Sequence, residues 1–315
     1  MENFIFSLNV TMPIFLIILL GYILKNIGFL TQEFTRVANQ YVFMVALPAM
    51  LFQDIASMDV KSEMNVTFFF FCMIVTIVMF LVIWGLSHLL IKDKDIVGAF
   101  AQASARGSAA VLGVAFVENI CGEMGMTPLM IVAAVPFFNI LSVVILVFEG
   151  RSEDSRDYGK IKSSLVNIAK NPIIIGILLG LITSFVSIPL PTIASRSVSY
   201  VARTATPIAL LAIGAGFDAK LAVAKLKPTV VASLIKLMGL PLIFLPIAYK
   251  FGFGASEMVA ILVMLASPTT PSSYVMAENM HNDGVLTSSV IVLTTLMSSV
   301  TLTFWVFLLR SIGCI

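Results

Sequence analysis

The stretch Pro13-Ile14-Phe15-Leu16-Ile17-Ile18-Leu19-Leu20-Gly21-Tyr22-Ile23 returns 159 residues later (172 − 13 = 159) as Pro172-Ile173-Ile174-Ile175-Gly176-Ile177-Leu178-Leu179-Gly180-Leu181-Ile182. The same offset pairs Tyr41, Val42, Ala46, Pro48, Leu51, Asp59 and Lys61 with Tyr200, Val201, Ala205, Pro207, Leu210, Asp218 and Lys220. Apolar helices match one another by chance, so single coincidences carry little. A common register of Pro, Gly, Tyr, Asp and Lys through two successive segments is harder to obtain that way. The chain reads as a duplication, and internal duplication in an apolar chain points to a membrane protein built from two related halves.

Composition supports that environment. Of 315 residues, 59% are hydrophobic and 11% charged, against about 25% charged in a soluble domain. Such a chain cannot cover its surface with polar groups, so lipid has to be its solvent. The net charge of +2 gives no reason to expect nucleic acid. Cys72, Cys121 and Cys314 lack metal-ligand spacing and read as small apolar residues; no metal site or cofactor is expected.

Ten apolar runs approach the roughly 20 residues needed to cross a hydrocarbon core: 10–29, 36–56, 65–91, 96–118, 127–148, 166–187, 196–217, 228–249, 256–279 and 284–309. The charged stretch 150–164 separates the fifth from the sixth. The predicted organisation is a first repeat over 1–149, a linker over 150–164 and a second repeat over 165–315. Five spans per repeat is odd, so the second repeat must enter from the opposite face, and the repeats are inverted. With the N-terminus outside, twelve Lys and Arg fall on inner loops and helix ends (Lys25, Arg36, Lys92, Lys94, Arg151, Arg156, Lys160, Lys162, Lys170, Lys220, Lys225, Lys227). Four fall outside (Lys61, Arg196, Lys250, Arg310). That bias predicts both termini outside and the linker in the cytoplasm.

The fourth and ninth runs occupy matching places and both carry polar interruptions. The fourth reads Gln102-Ala103-Ser104-Ala105-Arg106-Gly107-Ser108, and the ninth Ser267-Pro268-Thr269-Thr270-Pro271-Ser272-Ser273. Two prolines within four residues break a helix, and freed backbone groups at that depth need protein or water. The expectation is two broken helices crossing near the bilayer centre. Their half-helix N-termini would offer partial positive charge and free N–H groups to an anion, most simply a carboxylate. The candidate substrate-binding residues are Arg106, Gly107, Ser108, Asn139, Ser267, Pro268, Thr269, Thr270, Pro271 and Ser272.

Arg106 sits about ten residues inside its run, where insertion costs about 2.5–3.5 kcal/mol. It either meets a carboxylate guest with its planar fork or forms a structural ion pair, for instance with Glu257 or Asp54. Glu118-Asn119 and Glu278-Asn279 close the two broken runs; they are candidates for a coupling ion or proton, H+ or Na+, or else solvated helix ends. Asn139 either reaches the pocket or pairs across helices. Lys236 and Arg203 read as structural or snorkelling residues, and Gln53 and Asp54 as a solvated cap.

At these residues the chain resembles the auxin efflux carrier family, in particular its bacterial members. The matching pieces are Val45-Ala46-Leu47-Pro48-Ala49-Met50-Leu51-Phe52, Arg106-Gly107 followed by Leu112-Gly113, Asn171-Pro172, Thr206-Pro207-Ile208-Ala209-Leu210-Leu211-Ala212-Ile213-Gly214, and Ala266-Ser267-Pro268. Ser108 stands where many members have Asn, and Ala115 where many have Pro. The resemblance implies an all-α integral membrane fold of ten transmembrane helices, as two inverted five-helix repeats with crossed helices 4 and 9, of the sodium/proton antiporter type. It implies a scaffold of helices 1, 2, 6 and 7, often dimeric, beside a moving body of helices 3–5 and 8–10. It further implies elevator-type secondary transport of small organic anions, such as auxin-like or dicarboxylic acids, across the bacterial inner membrane. Within transport, the alternatives are a sodium-coupled bile-acid-type symporter or a cation/proton antiporter, which usually wants a carboxylate rather than an arginine at the crossing. Outside it, the alternatives are a sensor on the same fold and an intramembrane enzyme. An enzyme would need an Asp pair, a Ser/His pair or a His/Glu metal set at depth, none of which the runs contain.

Overall fold

A computed structural model describes residues 2–56, 65–110, 116–118, 120, 125–150, 165–186 and 190–315. Asp59, Lys61, Leu112, Gly113, Ala115, Asn119, Cys121 and linker residues 151–164 lie outside the described residues. Those described are helical, with no strand among them. In chain order the helices are α1 (Glu2–Asn26), α2 (Gln32–Tyr41), α3 (Leu47–Ala56), α4 (Val66–Leu90), α5 (Val97–Ala105), α6 (Thr127–Glu149), α7 (Pro172–Val186), α8 (Thr192–Gly216), α9 (Ala219–Ala224), α10 (Leu226–Leu234), α11 (Leu240–Lys250), α12 (Ala255–Ala266), α13 (Ser272–Asn279) and α14 (Gly284–Ser311).

Among the described residues, five continuous helical stretches are long and apolar enough to cross a membrane: Val66–Leu90, Thr127–Glu149, Thr192–Gly216, Leu226–Lys250 and Gly284–Ser311. A 25-residue helix reaches about 37 Å at 1.5 Å per residue, more than a hydrocarbon core of about 30 Å. Thr11–Asn26, Pro172–Val186 and Ala255–Ala266 are shorter apolar helices. Helix starts carry the polar residues that cap them. Thr31, Asn65 and Asp283 accept hydrogen bonds from the backbone N–H groups of Phe34 (3.1 Å), Phe68 (3.1 Å) and Leu286 (2.7 Å). Each such cap stabilises its helix by about 1 kcal/mol.

Two spans contain a π-helical turn that periodicity did not announce. Val42–Ala46 joins α2 to α3, and Ile235–Gly239 joins α10 to α11. Each precedes a proline, Pro48 or Pro241, which cannot donate to the carbonyl four residues back. Behind Pro241 that carbonyl belongs to Leu237, and it accepts the indole N–H of Trp305 at 2.9 Å. The broken ladder is thus repaired by a side chain from α14.

Packing divides into two principal cores. One joins α4, α6, α12 and α14 through residues such as Phe68, Phe80, Phe138, Leu262 and Trp305. The other joins α1, the α2–α3 span, α7 and α8 through Ile18, Val42, Leu51, Ile177 and Ile213, and also takes in Val143 and Leu146 of α6, Val275 of α13 and Ile291 of α14. In the second, helices approach at backbone distance. A Cβ on Gly21 would come within 2.5 Å of the Leu211 carbonyl oxygen and 3.2 Å of the Gly214 Cα, and one on Gly180 within 3.0 Å of the Phe52 carbonyl oxygen and the Ile55 Cβ. The two short helices α5 and α12 are enclosed by protein: every residue of Val97–Ala105 and Met258–Ala266 is buried. By contrast α4 leaves Phe70, Ile74, Val78, Leu81 and Val82 exposed, an apolar face suited to lipid.

Candidate functional site

The fourth and ninth runs are both interrupted. Helix α5 ends at Ala105, and Arg106 turns extended (φ −78°, ψ 125°); helical residues resume at Ala109. Helix α12 ends at Ala266, Ser267 is extended (φ −61°, ψ 146°) and α13 begins at Ser272. Pro268 accounts for the second break, since the residue before a proline is pushed out of the helical region. The first break relies on Gly107, where no side chain would fit. A Cβ there would lie 2.5 Å from Ser267 Oγ and 2.8 Å from Lys236 Nζ.

The two interruptions touch and are bonded together. The Ser108 N–H donates to the Pro268 carbonyl at 2.9 Å, and the Thr269 hydroxyl donates to the Ala103 carbonyl at 2.8 Å. The Thr269 N–H is taken by Thr294 Oγ1 of α14 at 3.1 Å. These backbone groups at the breaks are therefore satisfied by protein, as depth in a bilayer demands.

Arg106 is 4% exposed. One nitrogen of its guanidinium, Nη2, donates to Asn139 Oδ1 at 2.6 Å and to Ser272 Oγ at 2.8 Å, and Nη1 contacts Met276 Sδ. Asn139 is itself oriented by its amide, which donates to the Val135 carbonyl at 2.9 Å. Among the described residues the ion pairs are Arg36–Glu33, His88–Glu149 and Lys225–Asp283, and Arg106 belongs to none of them. Beside it lies a cavity of about 50 Å³ lined by Arg106, Gly107, Ser108, Asn139, Thr270 and Ser272, closed on the other side by Met50, Leu51 and Asp54 of α3. That space holds one or two waters and a carboxylate group only if its walls give.

A larger cleft of about 310 Å³ opens where α1 ends and α2 begins. Lys25, Arg36, Asn39, Tyr274, Glu278 and Asn279 line it, so it runs between the α1–α2–α8 group and α13. At its rim the exposed Arg36 guanidinium beside Glu33 holds that carboxyl below the usual carboxylate range.

A family model described as "Membrane transport protein" matches residues 6–306. The chain belongs to this membrane transport protein family, the auxin efflux carriers. It is 23% identical over 312 residues to an uncharacterized transporter of Methanocaldococcus jannaschii, covering 96% of this chain and 98% of that one. It is 22% identical over 303 residues to an uncharacterized transporter of Methanothermobacter thermautotrophicus, with 96% and 98% covered. A Rhizobium meliloti protein named "Putative malonate transporter" is 25% identical over 313 residues, with 96% of each covered. Family and relatives point to transport rather than to catalysis.

Of the residues expected at the site of this auxin efflux family member, Arg106, Gly107, Ser108, Asn139, Thr270 and Ser272 surround one cavity. Thr269 turns away, toward Ala103 and Thr294. Ser267 points at Gly107, and its buried hydroxyl has no hydrogen-bond partner among the described residues. Pro268 contributes its carbonyl to the joint, and Pro271 precedes the first turn of α13. Of the four coupling candidates, the three among the described residues do not line that cavity. Glu278 and Asn279 line the larger cleft, Glu118 is exposed, and Asn119 lies outside the described residues.

Two residues for which the sequence left alternatives open are placed by the structure. Asp54, read both as a cap and as a partner for Arg106, walls the Arg106 cavity; Leu51 and Asp54, three apart, share a face of α3. Lys236 does not snorkel: it is fully buried, and its ammonium reaches main-chain carbonyls of both interrupted helices. Its position within the 25-residue stretch Leu226–Lys250 leaves about 15 Å of helix to one end and about 21 Å to the other, beyond the reach of a lysine stem. Arg203, in contrast, is exposed on α8.

Proposed function

We propose that the chain is a secondary active transporter of small carboxylates, working by elevator-type alternating access. The observation that carries this reading is Arg106: a buried guanidinium, outside every ion pair among the described residues, facing a cavity framed by the starts of two half-helices. An anion there would complete its fork with charge-assisted bonds and gain from the adjoining helix N-termini. An arginine at this position favours an anionic guest over a cation/proton exchange site. The Rhizobium relative's name narrows the first choice of guest to a short dicarboxylate such as malonate.

The proposed frame is ten spans in two inverted repeats, 1–149 and 165–315, joined by a cytoplasmic linker. The contacts of Gly21 on Leu211 and Gly214, and of Gly180 on Phe52 and Ile55, support it. Both partner pairs keep the repeat offset (211 − 52 = 159; 214 − 55 = 159). Within this frame, spans 1, 2, 6 and 7 form a scaffold, packed together through Ile18, Leu51, Ile177 and Ile213, and spans 3–5 and 8–10 a moving body that meets it through Val143, Val275 and Ile291. The polar clefts then lie along the seam between them. Under the positive-inside rule the Lys25–Arg36 cleft faces the cytoplasm, with both termini outside. Exposed apolar residues on the scaffold helices, Leu16 and Leu20 on α1 and Leu178 and Ile182 on α7, suit lipid or a second copy.

The test is thermal stability of the purified protein across mono- and dicarboxylates, malonate included. A bound anion raises Tm by linkage, and the Arg106→Ala variant is expected to stay folded and lose that response. An unchanged response in Arg106→Ala would remove the residue from the site and the reading with it.

A further inference from the structure

At the carboxyl-terminal ends of α5 and α12, the orphan carbonyls of two last turns converge, where the helix dipoles are negative. Lys236 Nζ, on the π turn of the eighth span, donates to the Leu265 carbonyl at 2.7 Å, the Ala105 carbonyl at 3.3 Å and the Met264 carbonyl at 3.5 Å. Its side chain is 0% exposed and takes part in none of the ion pairs among the described residues. Ser267 Oγ, buried and without a hydrogen-bond partner among the described residues, faces the same Gly107 backbone from 2.5 Å where a Cβ would stand; Lys236 Nζ does so from 2.8 Å. Three main-chain carbonyls converging on one point, with the Ser267 hydroxyl near by on the other side of Gly107, begin the all-oxygen ligand set that hard cations take. Here an ammonium group occupies it.

We propose that Lys236 is a tethered cation standing where a coupling sodium ion would otherwise neutralise the two carboxyl-terminal helix ends, so that carboxylate transport by this chain is independent of sodium. This rests on the carrier reading above and addresses its coupling. The ammonium holds both halves of the joint together while the opposite ends of the same breaks stay free to receive an anion. It travels with the moving body and is never released to either side, so it stabilises the joint without feeding a gradient into the cycle.

The experiment uses the full chain in detergent, with no carboxylate present, and compares Tm in sodium chloride with Tm in choline chloride. Wild type is expected to melt at the same temperature in both. Lys236→Met fills the space with a neutral stem; it should melt lower in both salts and gain nothing from sodium. Lys236→Ala opens the oxygen-lined space; it should melt lower in choline and recover by several degrees in sodium. Sodium-specific stabilisation of wild type would overturn the proposal, as would a folded Lys236→Ala that ignores sodium. Should Lys236→Ala fail to fold, uptake of malonate by wild type in proteoliposomes decides: equal rates in sodium and choline support the tethered cation, and a sodium requirement sinks it. Absence of any malonate response, with sodium indifference intact, counts against the carrier reading alone.

Discussion

Arg106 shows how a single side chain couples fold to chemistry. Its hydrogen bonds run to Asn139 and Ser272, groups that hold the fork in place without neutralising it. Arg106→Lys keeps the charge but loses the planar pair of donors. Carboxylate affinity measured by titration should fall at least about ten-fold, or 1.4 kcal/mol; equal affinity would show that the fork is not used. Gly107→Ala forces a methyl group between Ser267 and Lys236, where no space exists. Overpacking of this kind costs about 1–3 kcal/mol, so a lower Tm in every ligand condition is expected, and an unchanged Tm would show that the joint yields freely. At this scale the sequence made Arg106 legible, because a charge inside an apolar run must be partnered. It did not separate the orientations of Ser267, Thr269 and Thr270, which depend on what the neighbouring helix offers. For Lys236 the sequence left a structural and a snorkelling role open; its burial and carbonyl contacts select the structural one, which the distance to the helix ends already favoured.

Among the elements, the breaks were readable and the π turns were not. Two prolines inside Ser267–Ser273 leave a helix no way to continue, whereas Pro241 only disturbs a ladder that Trp305 then mends. Nothing in the eighth run names a partner lying 68 residues away. Trp305→Phe leaves the Leu237 carbonyl unpaired in an apolar setting, at a cost of about 1–3 kcal/mol. A corresponding fall in Tm is expected, and full stability would mean that the carbonyl finds another donor. Replacing Pro268 and Pro271 together by Ala lets the ninth run wind into a continuous helix. Malonate uptake into proteoliposomes should then drop sharply; wild-type rates in the double variant would argue that the interruption does not serve transport.

At the level of the whole molecule, the proposed duplication was readable because helix contacts at backbone distance restrict what residue can stand there. Gly21 and Gly180 recur in register for the reason that their neighbours do. The grouping of helices into two cores was not visible, since apolar residues of different helices look alike in a sequence. With Lys25 and Arg36 on the cytoplasmic side, a cysteine at Thr35, which lines the large cleft, in a background lacking Cys72, Cys121 and Cys314 should react with an impermeant thiol reagent in inside-out vesicles. It should be protected in right-side-out ones, and the opposite pattern would invert the proposed orientation. The Ser108–Pro268 bond has a separate evolutionary consequence. Because that link is main chain to main chain, under the proposed carrier reading a replacement at Ser108 or Thr270 would change the walls offered to a guest while the hinge-pin beneath survives. Descendants of one ancestral gene can therefore diversify in diet without reinventing their machinery.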